Sequence, residues 1–261
     1  MDQLIFSLSP HDHGHDTIER NMWGVVLALV PALLVSFLFF GLGAVVVCLT
    51  SVASCMFFEW AITRYLLHRA PTLLDGSAVI TGLLLGMNLP SNLPAWMVII
   101  GALVAIGVGK MSFGGLGCNI FNPALVGRCF LLVSCPAAMT TWPVAGQLTA
   151  YTDATTGATP LAYMKWAIKS GDPSQLEDIP DSFHMLIGNL SGTWGSGSLG
   201  EVCALALLMG LAYLLWKKII TWHIPVSIIL TVFILSGLLH LASPVYANPI
   251  QVVLSGGLML G

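Results

Sequence analysis

The sequence predicts an all-α membrane protein that crosses the bilayer several times and consists of two inverted halves with broken helices. Of its 261 residues, 56% are hydrophobic and only 8% are charged, whereas roughly a quarter of the residues in a soluble domain are charged. Several runs of about 18 or more largely uncharged residues supply the length that a helix needs to cross a ~30 Å hydrocarbon core. The lipid bilayer is therefore the expected solvent, and nothing indicates a nucleic-acid partner.

Residues 1–21 are predicted to form a polar cytoplasmic arm. This stretch holds four acids, three histidines and a single Arg. It lacks the basic leader and the cleavage site of a signal peptide, so we expect it to remain attached. The alternation of His11, His13 and His15 suits either transition-metal binding or a solvated segment at the membrane interface. The acid and the glycine between them favour the solvated segment, and no metal site is predicted.

Two apolar stretches, about 22–40 and 44–66, follow the arm and predict a helical hairpin. Only Gly41-Leu42-Gly43 separates them, so the turn is very short. The turn is uncharged, whereas Arg64 and Arg69 come at the end of the second helix. Because cytoplasmic loops carry an excess of Lys and Arg, we expect the turn outside and the N-terminus in the cytoplasm.

The next segments predict broken helices. Asp75-Gly76-Ser77 opens an apolar segment that ends at Leu89-Pro90, and its ~14 residues would span only ~21 Å as a helix. Short apolar segments bounded by Gly or Pro are typical of the discontinuous helices in transporter-like folds. A helix is predicted over about 95–109, after which the glycine-rich run Phe113–Gly117 should unwind the backbone. Asn122-Pro123 then has the pattern of an N-cap and a first helical residue, in a segment that reaches about residue 136.

A polar stretch over residues 137–199 predicts an extracytoplasmic loop. Five crossings precede it, and its net negative charge agrees with that side. Two further helices are predicted over about 202–216 and 222–241. Lys217 and Lys218 lie between them, which places this turn in the cytoplasm.

A short echo predicts an internal repeat. Gly82–Gly86 reads GLLLG and Gly257–Gly261 reads GLMLG. The first half, residues 22–136, makes an odd number of crossings, so its copy must enter from the opposite side as an inverted repeat. The second repeat, residues 200–261, is expected to be incomplete, because the chain stops inside an apolar run.

The polar loop contains the segment Asp153–Leu161, which reads DATTGATPL. A Thr hydroxyl can act as the nucleophile for a phosphoester, and Gly157 and Ala158 leave space for an enzyme to grip the backbone. Asp153 suits a metal ion that accompanies an incoming phosphate. The same residue types also favour an ordinary polar turn, so the segment by itself leaves both interpretations open.

Three other segments occur in the order that one known family has. They are Ser9-Pro10-His11, Asp75-Gly76-Ser77 with Thr81-Gly82-Leu83-Leu84, and the run GGLGCNIFNPA over residues 114–124. Together with the pattern Asp-x-x-Ser/Thr-Gly-Ala-Thr in the loop, they make nearly the whole chain resemble a family of flavin-bearing membrane subunits. That family contains the D subunit of Rnf electron-transport complexes and the B subunit of the sodium-pumping NADH:quinone reductase.

The resemblance implies a covalent flavin. In the family, the last Thr of the motif bears FMN through a phosphoester that a dedicated flavin transferase installs. The matching residue is Thr159, and Asp153, Thr156, Gly157 and Ala158 complete the motif. The usual Ser at the position of Thr156 is Thr here, which keeps the hydroxyl. The presence of a second, non-covalent flavin is left open.

The resemblance also implies a role within a complex in a bacterial plasma membrane. The subunit, inactive alone, would transfer electrons through FMN and link ferredoxin oxidation and NAD reduction to the movement of Na⁺ or H⁺. The resemblance implies as partners a second FMN-bearing subunit and iron-sulfur subunits. The NAD and iron-sulfur sites are expected in partners, because the chain has no nucleotide-binding fold or Cys cluster of its own. The short N-terminal arm favours Rnf over the quinone reductase. A flavin-free channel or transporter is the alternative, since inverted halves with broken helices are also typical of transporters.

Three charged residues have two interpretations each. Glu59 lies in a membrane helix and has two interpretations. It has a functional role, as is the default for an ionisable side chain inside the membrane, or its side chain snorkels to the cytoplasmic surface near Arg64. Asp75 either binds a cation or caps a helix, and the cap is favoured; Glu59 and Asp75 form the candidate ion path. Arg128 either contacts a flavin phosphate or ring carbonyl, or packs against a neighbouring loop carbonyl. The six cysteines lack C-x-x-C spacing and are predicted to be packing residues.

Overall fold

The computed structural model describes residues 17–68, 73–188, 197–255 and 258. Nearly all regular structure in these ranges is helical, and three helical stretches are long and apolar enough to cross a membrane. They are Ile18–Leu66, Ala95–Phe113 and His223–Ala242. The predicted all-α polytopic class is confirmed. The arm histidines, Arg69 and most of the second glycine echo lie outside the described residues.

The first helix, α1 (Ile18–Ala61), is a hairpin of two arms that meet at Gly41. Gly41 has φ 55° and ψ −127°, outside the helical region. Trp23 in the first arm donates to a carbonyl just before α2 (Ser77–Met87), and Glu59 in the second arm is linked through one lysine to the first residue of α2. A straight helix would separate Trp23 from Glu59 by ~54 Å, so the arms fold back on each other. The predicted hairpin is confirmed.

Both ends of α1 differ slightly from the prediction. The helix begins at Ile18 rather than near residue 22, because the Thr17 side chain accepts from the Arg20 N–H at 3.2 Å and caps it. At its other end α1 continues into one turn of π-helix, Ile62–Leu66.

The predicted broken helix is α2, which has 11 residues and spans only ~16 Å. Close contacts run along the second arm of α1: a Cβ on Gly82 would lie 2.6 Å from Val52 Cα, and one on Gly43 would lie 2.6 Å from Ser91 O. The non-helical residues after Met87 therefore complete the crossing that α2 begins. The chain returns in α3 (Ala95–Gly107).

The α4 helix (Pro123–Ser134) begins where the sequence predicts. Asn122 Oδ1 accepts from the Ala124 N–H at 3.0 Å, and Pro123 is the first helical residue. A short helix, α5 (Pro136–Thr140), follows. The Asn-Pro pair therefore acts as a start signal.

The polar loop contains a small ribbon and two helices. Strand β1 (Trp142–Pro143) pairs antiparallel with β2 (Thr156–Gly157). Helix α6 (Pro160–Ser170) comes directly after the ribbon, followed by a 3₁₀ turn at Pro173–Leu176 and by α7 (Ser182–Ile187). The flavin-motif segment thus runs from β2 into the start of α6.

A second hairpin consists of α8 (Ala204–Trp216) and α9 (His223–Ala242), with α10 (Pro249–Leu254) after it. Its turn lies beside the start of α1, because Ile219 packs against Gly24. The turn of the α1 hairpin lies at the opposite end of the molecule. The two hairpins therefore enter from opposite ends of the molecule, and the inverted repeat stays a prediction.

The two ends differ in charge and in contacts. At one end, the turn of the α1 hairpin binds the polar loop: Leu42 N donates to Leu148 O, and Gly146 N donates to Phe39 O, both at 2.8 Å. We call this the loop end. The opposite end, which we call the basic end, carries the following cations: Arg20, Arg64, Lys110, Lys217 and Lys218.

Candidate functional site

Thr159 is the N-cap of α6. Its Oγ1 accepts from the Ala162 N–H at 3.2 Å, and Pro160 occupies the first helical position. The side chain is half-buried, whereas Thr155 and Thr156 are exposed. Among the three threonines of the motif, Thr159 alone lies at a helix N-terminus, where backbone N–H groups and the helix dipole favour a negative charge.

The segment before Thr159 is held in a defined conformation by Gln147. The Gln147 amide donates to Thr155 O at 2.9 Å and to Val144 O at 3.0 Å, and its Oε1 accepts from Thr155 N at 2.7 Å. Asp153 is exposed beside this clamp. The motif therefore runs from the exposed Asp153 through β2 to the half-buried N-cap of α6.

An apolar cavity of about 600 Å³ lies along the same helix as Thr159. Leu161, Met164 and Lys165 line it from α6, and α9 and the following chain close the other side. These α6 residues recur at the spacing of one helix face. The cavity begins one residue after the N-cap pair Thr159-Pro160.

The second predicted pair, Glu59 and Asp75, is joined by a buried chain of hydrogen bonds at the basic end. Lys110 Nζ donates to Glu59 Oε2 at 2.6 Å and to Ser77 Oγ at 2.7 Å. Ser77 Oγ donates in turn to Asp75 Oδ1 at 2.7 Å. The side chains of Glu59 and Lys110 are only 1% and 3% exposed. The interpretation in which Glu59 snorkels beside Arg64 is therefore wrong.

Asp75 also has the capping role that the sequence favours. Its Oδ1 accepts from the Ser77 N–H at 2.9 Å, at the first residue of α2. Gly76 between them has φ +77°, which only Gly adopts without strain. Through the same oxygen, Asp75 thus caps α2 and accepts the hydrogen bond from Ser77 that joins it to Lys110.

Arg128 lies beside the break that follows α2. Its Nη1 donates to Asn88 Oδ1 at 2.5 Å, so its described partner is a side-chain amide rather than a residue of the 153–159 segment. Burial raises the pKa of the Glu201 carboxyl, and the nearby charge of Arg128 opposes that rise. The chain before Glu201 also caps α2, since Gly200 N donates to Met87 O at 2.8 Å.

The cysteines are all free thiols, and their environments differ. Cys48, Cys55 and Cys203 are buried, as packing residues should be, whereas Cys118 and Cys129 are exposed. The packing prediction thus holds for three of the six.

The sequence interpretation missed three residues with structural roles. Lys110 marked the cytoplasmic side in the sequence, yet it is the centre of the buried chain. Gln147 and Asn88 carried no motif. One signal for Lys110 was available in the sequence. Lys110 ends one apolar helix and Glu59 lies inside another, and buried charges in proteins are usually paired.

Comparison with known proteins identifies relatives over almost the whole chain. It is 39% identical over 257 residues to the D subunit of the proton-translocating ferredoxin:NAD⁺ oxidoreductase complex of Clostridium ljungdahlii, covering 98% of this chain and 75% of that protein. It is 41% identical over 261 residues to the D subunit of the Na⁺-translocating ferredoxin:NAD⁺ oxidoreductase complex of Acetobacterium woodii, covering 99% and 74%.

A more distant relative is the D subunit of the ion-translocating oxidoreductase complex of Yersinia pseudotuberculosis. It is 33% identical over 285 aligned positions, with 97% of this chain and 78% of that protein covered. Residues 5–261 also match the family described as NQR2, RnfD, RnfE. Since the match extends through the membrane helices and the loop that carries Thr159, this chain belongs to the NQR2, RnfD, RnfE family.

Proposed function

We propose that this protein is the D subunit of an Rnf-type, ion-translocating ferredoxin:NAD⁺ oxidoreductase complex in a bacterial plasma membrane. The identity of about 40% with the D subunits of two ferredoxin:NAD⁺ oxidoreductase complexes, over 98–99% of this chain, carries the proposal. The protein contributes to the complex as a membrane redox subunit and is inactive alone. Its partners are the other Rnf subunits, including a second FMN-bearing subunit and iron-sulfur subunits.

We propose further that Thr159 bears FMN through a phosphoester on its Oγ1. The N-cap geometry supports this: an ester oxygen keeps the ability to accept from the Ala162 N–H, and the phosphate charge would lie at the positive end of α6. Thr156 and Asp153 are exposed beside it, where a flavin transferase can reach them.

The apolar cavity of about 600 Å³ along α6 would suit the dimethylbenzene side of the isoalloxazine ring of a flavin held at Thr159. Leu161 and Met164 supply apolar surface, and Lys165 places a cation at the rim. When bound, the flavin would supply the redox chemistry, and Leu161, Met164 and Lys165 would line one side of its ring. A second, non-covalent flavin remains a prediction with no site assigned among the described residues.

The proposed orientation places the basic end in the cytoplasm and the loop end outside. The charges support it: five Lys and Arg residues lie at the basic end, while the polar loop carries an excess of acids. From the loop end, a flavin on Thr159 could exchange electrons with another extracytoplasmic subunit.

In-gel fluorescence of denatured protein, co-expressed with its flavin transferase, tests the assignment. The wild-type band should fluoresce, Thr159→Ala should not, and Thr155→Ala should fluoresce as the matched control. Peptide mass spectrometry should locate FMN on Thr159. FMN on Thr155 or Thr156 would refute the site, and a band without flavin would favour the channel alternative.

A further inference from the structure

The turn of the second hairpin presents two lysines between two tryptophans at the basic end. It joins Trp216, the last residue of α8, to Trp222, the residue before α9. These tryptophans are 79% and 57% exposed, and Lys217 and Lys218 between them are exposed as well. Residues 202–261 contain no Asp or Glu, so no acid of this hairpin neutralises the two ammonium groups.

Hydrogen bonds and packing hold this turn in one conformation. Ile219 N donates to Leu214 O and Lys218 N donates to Leu215 O, both at 3.0 Å, which closes the end of α8. Ile219 also packs against α1, where a Cβ on Gly24 would lie 2.6 Å from Ile219 Cδ1. The backbone that carries the two lysines is therefore already ordered, and a ligand there would pay little to order it.

Lys218 has a backbone conformation that Gly would adopt without strain. Its φ is +57°, at the position after a helix that Gly usually occupies. Non-Gly residues held in such conformations cluster at functional sites and ligand clamps. The turn therefore carries an ammonium group at a position where the backbone by itself favours Gly.

Ring contacts orient the tryptophans and leave the lysines accessible. Lys217 Nζ lies 5.4 Å from the centre of the Trp216 ring, and the Trp222 ring stacks on His223 with 4.1 Å between centroids. Within the described ranges of the chain, neither Lys217 nor Lys218 forms an ion pair with a carboxylate. Both ammonium groups are therefore available to an external anion.

Other aromatic side chains mark the membrane surface at this end. Trp23, in the first arm of α1, and Trp60 and Tyr65, near the end of the second arm, are all exposed. The rings of Trp60 and Tyr65 pack edge to face, with 5.5 Å between centroids. Trp and Tyr are enriched where the hydrocarbon core meets the lipid headgroups. Together with the two tryptophans of the turn, they place the lysine pair at the level of the headgroups.

The surroundings of the turn favour a lipid over a protein partner. Helix α9 begins at the turn and buries only Ser236, which leaves an apolar surface for acyl chains beside the lysines. Lysine is depleted in protein–protein interfaces. Basic residues next to membrane helices, in contrast, attract the anionic lipids of the cytoplasmic leaflet. The charge of the turn is therefore complementary to a lipid phosphate.

We propose that this turn binds the headgroup of an anionic phospholipid, with Lys217 and Lys218 contacting the phosphate and Trp216 and Trp222 packing beside the glycerol and upper acyl chains. In the proposed orientation the lipid belongs to the cytoplasmic leaflet. The site requires no flavin, so its failure would leave the flavin assignment untouched.

Lipid titration of the full chain in mild detergent, followed by native mass spectrometry, tests the site. Dioleoylphosphatidylglycerol is the anionic probe, and dioleoylphosphatidylcholine is the zwitterionic control with the same acyl chains. Wild type should bind the anionic lipid several-fold more tightly. Lys217→Gln should lower that affinity about fivefold, whereas Lys169→Gln, an exposed lysine of α6 at the loop end, should leave it unchanged. Equal affinities of wild type for the two lipids, or an unchanged affinity in Lys217→Gln, would overturn the proposal.

Lys218→Gly separates binding from folding. Gly relieves the strain at φ +57°, so the Tm without added lipid should equal or exceed that of wild type, while the affinity for phosphatidylglycerol should fall. An unchanged affinity would mean that Lys218 has only a structural role and would overturn the proposal.

Two further measurements distinguish other occupants of the turn. Displacement of phosphatidylglycerol by soluble sn-glycerol 3-phosphate would indicate a site for free phosphates. Loss of co-purifying subunits from Lys217→Gln, with its phosphatidylglycerol affinity unchanged, would indicate a protein partner. Either result would overturn the proposal.

Discussion

Thr159 differs from the other threonines of the motif in what its side chain contacts. Thr155 is fixed by Gln147 through its backbone atoms, and its own side chain is exposed. Thr159 instead uses its side chain to cap α6. Two hydroxyls that look equivalent in sequence therefore differ in orientation and burial, because only one is at a helix start.

Gln147→Ala is expected to lower the fraction of protein that carries flavin. The change removes three hydrogen bonds that hold the motif in an extended ribbon, so the transferase would meet a less ordered substrate. The ratio of in-gel fluorescence to protein stain measures the effect. Gln175→Ala, in the 3₁₀ turn of the same loop, is a matched control, and equal ratios for both variants would contradict a role for the clamp.

The buried Glu59–Lys110 pair should show strong coupling. Glu59→Gln leaves a buried ammonium without its carboxylate and should cost about 3–5 kcal/mol of stability. The double variant Glu59→Gln, Lys110→Met removes both charges and should cost much less than the sum of the single changes. Unfolding of all four proteins in detergent without added Na⁺ measures this, and additive costs would refute the coupling.

At the scale of elements, the α1 hairpin depends on one glycine. Gly41 has φ +55°, and a Cβ there would lie 2.2 Å from Leu148 O. Both the hairpin turn and the contact with the polar loop therefore require a residue without a side chain at position 41. Because the same loop carries Thr159, a substitution at Gly41 should also alter the position of the flavin-motif segment.

Gly41→Ala should destabilise the protein by about 1–3 kcal/mol or more, through strain and the clash with the loop. Gly107→Ala is the control, because its nearest neighbour would be 3.7 Å away, in ordinary contact, and Ala favours a helix. Thermal unfolding in detergent compares them. A Gly41→Ala protein as stable as Gly107→Ala would contradict the proposed role of the turn.

At the scale of the whole molecule, charge separates the two ends. The turn of the second hairpin lies beside the start of α1, so Lys217 and Lys218 share an end with Lys110. The polar loop is tied to the other end through Leu42 and Gly146. The predicted sidedness therefore corresponds to two separated regions of the structure.

A membrane-impermeant maleimide should distinguish these ends in cells. In a background with the exposed Cys118 and Cys129 replaced by Ser, Glu177→Cys in the polar loop should be labelled in spheroplasts. Lys217→Cys should be labelled only after the membrane is permeabilised. Labelling of both, or of Lys217→Cys alone, in intact spheroplasts would refute the proposed orientation.

Helices, caps and hairpin turns could be predicted from the sequence because their signals are local. Asn122-Pro123 carries its own start signal, and the short α2 was recognisable by its length between Asp75 and Pro90. The apolar runs determined the membrane class in the same way, since the ~30 Å bilayer core sets helix length directly. The motif around Thr159 is likewise contiguous, so its composition and family resemblance were visible without a fold.

Only the tertiary structure decided which distant residues meet. Glu59 and Lys110 are 51 residues apart, and Arg128 and Asn88 are 40 apart, with nothing local to link them. Sequence periodicity states which residues prefer lipid or water, but a buried charge finds its partner only when helices pack together. The sequence therefore determined the membrane helices and pointed to the candidate flavin residue. Packing decided that Lys110 pairs with Glu59 and Ser77, because the hairpin at Gly41 brings Glu59 beside α2 and the end of α3.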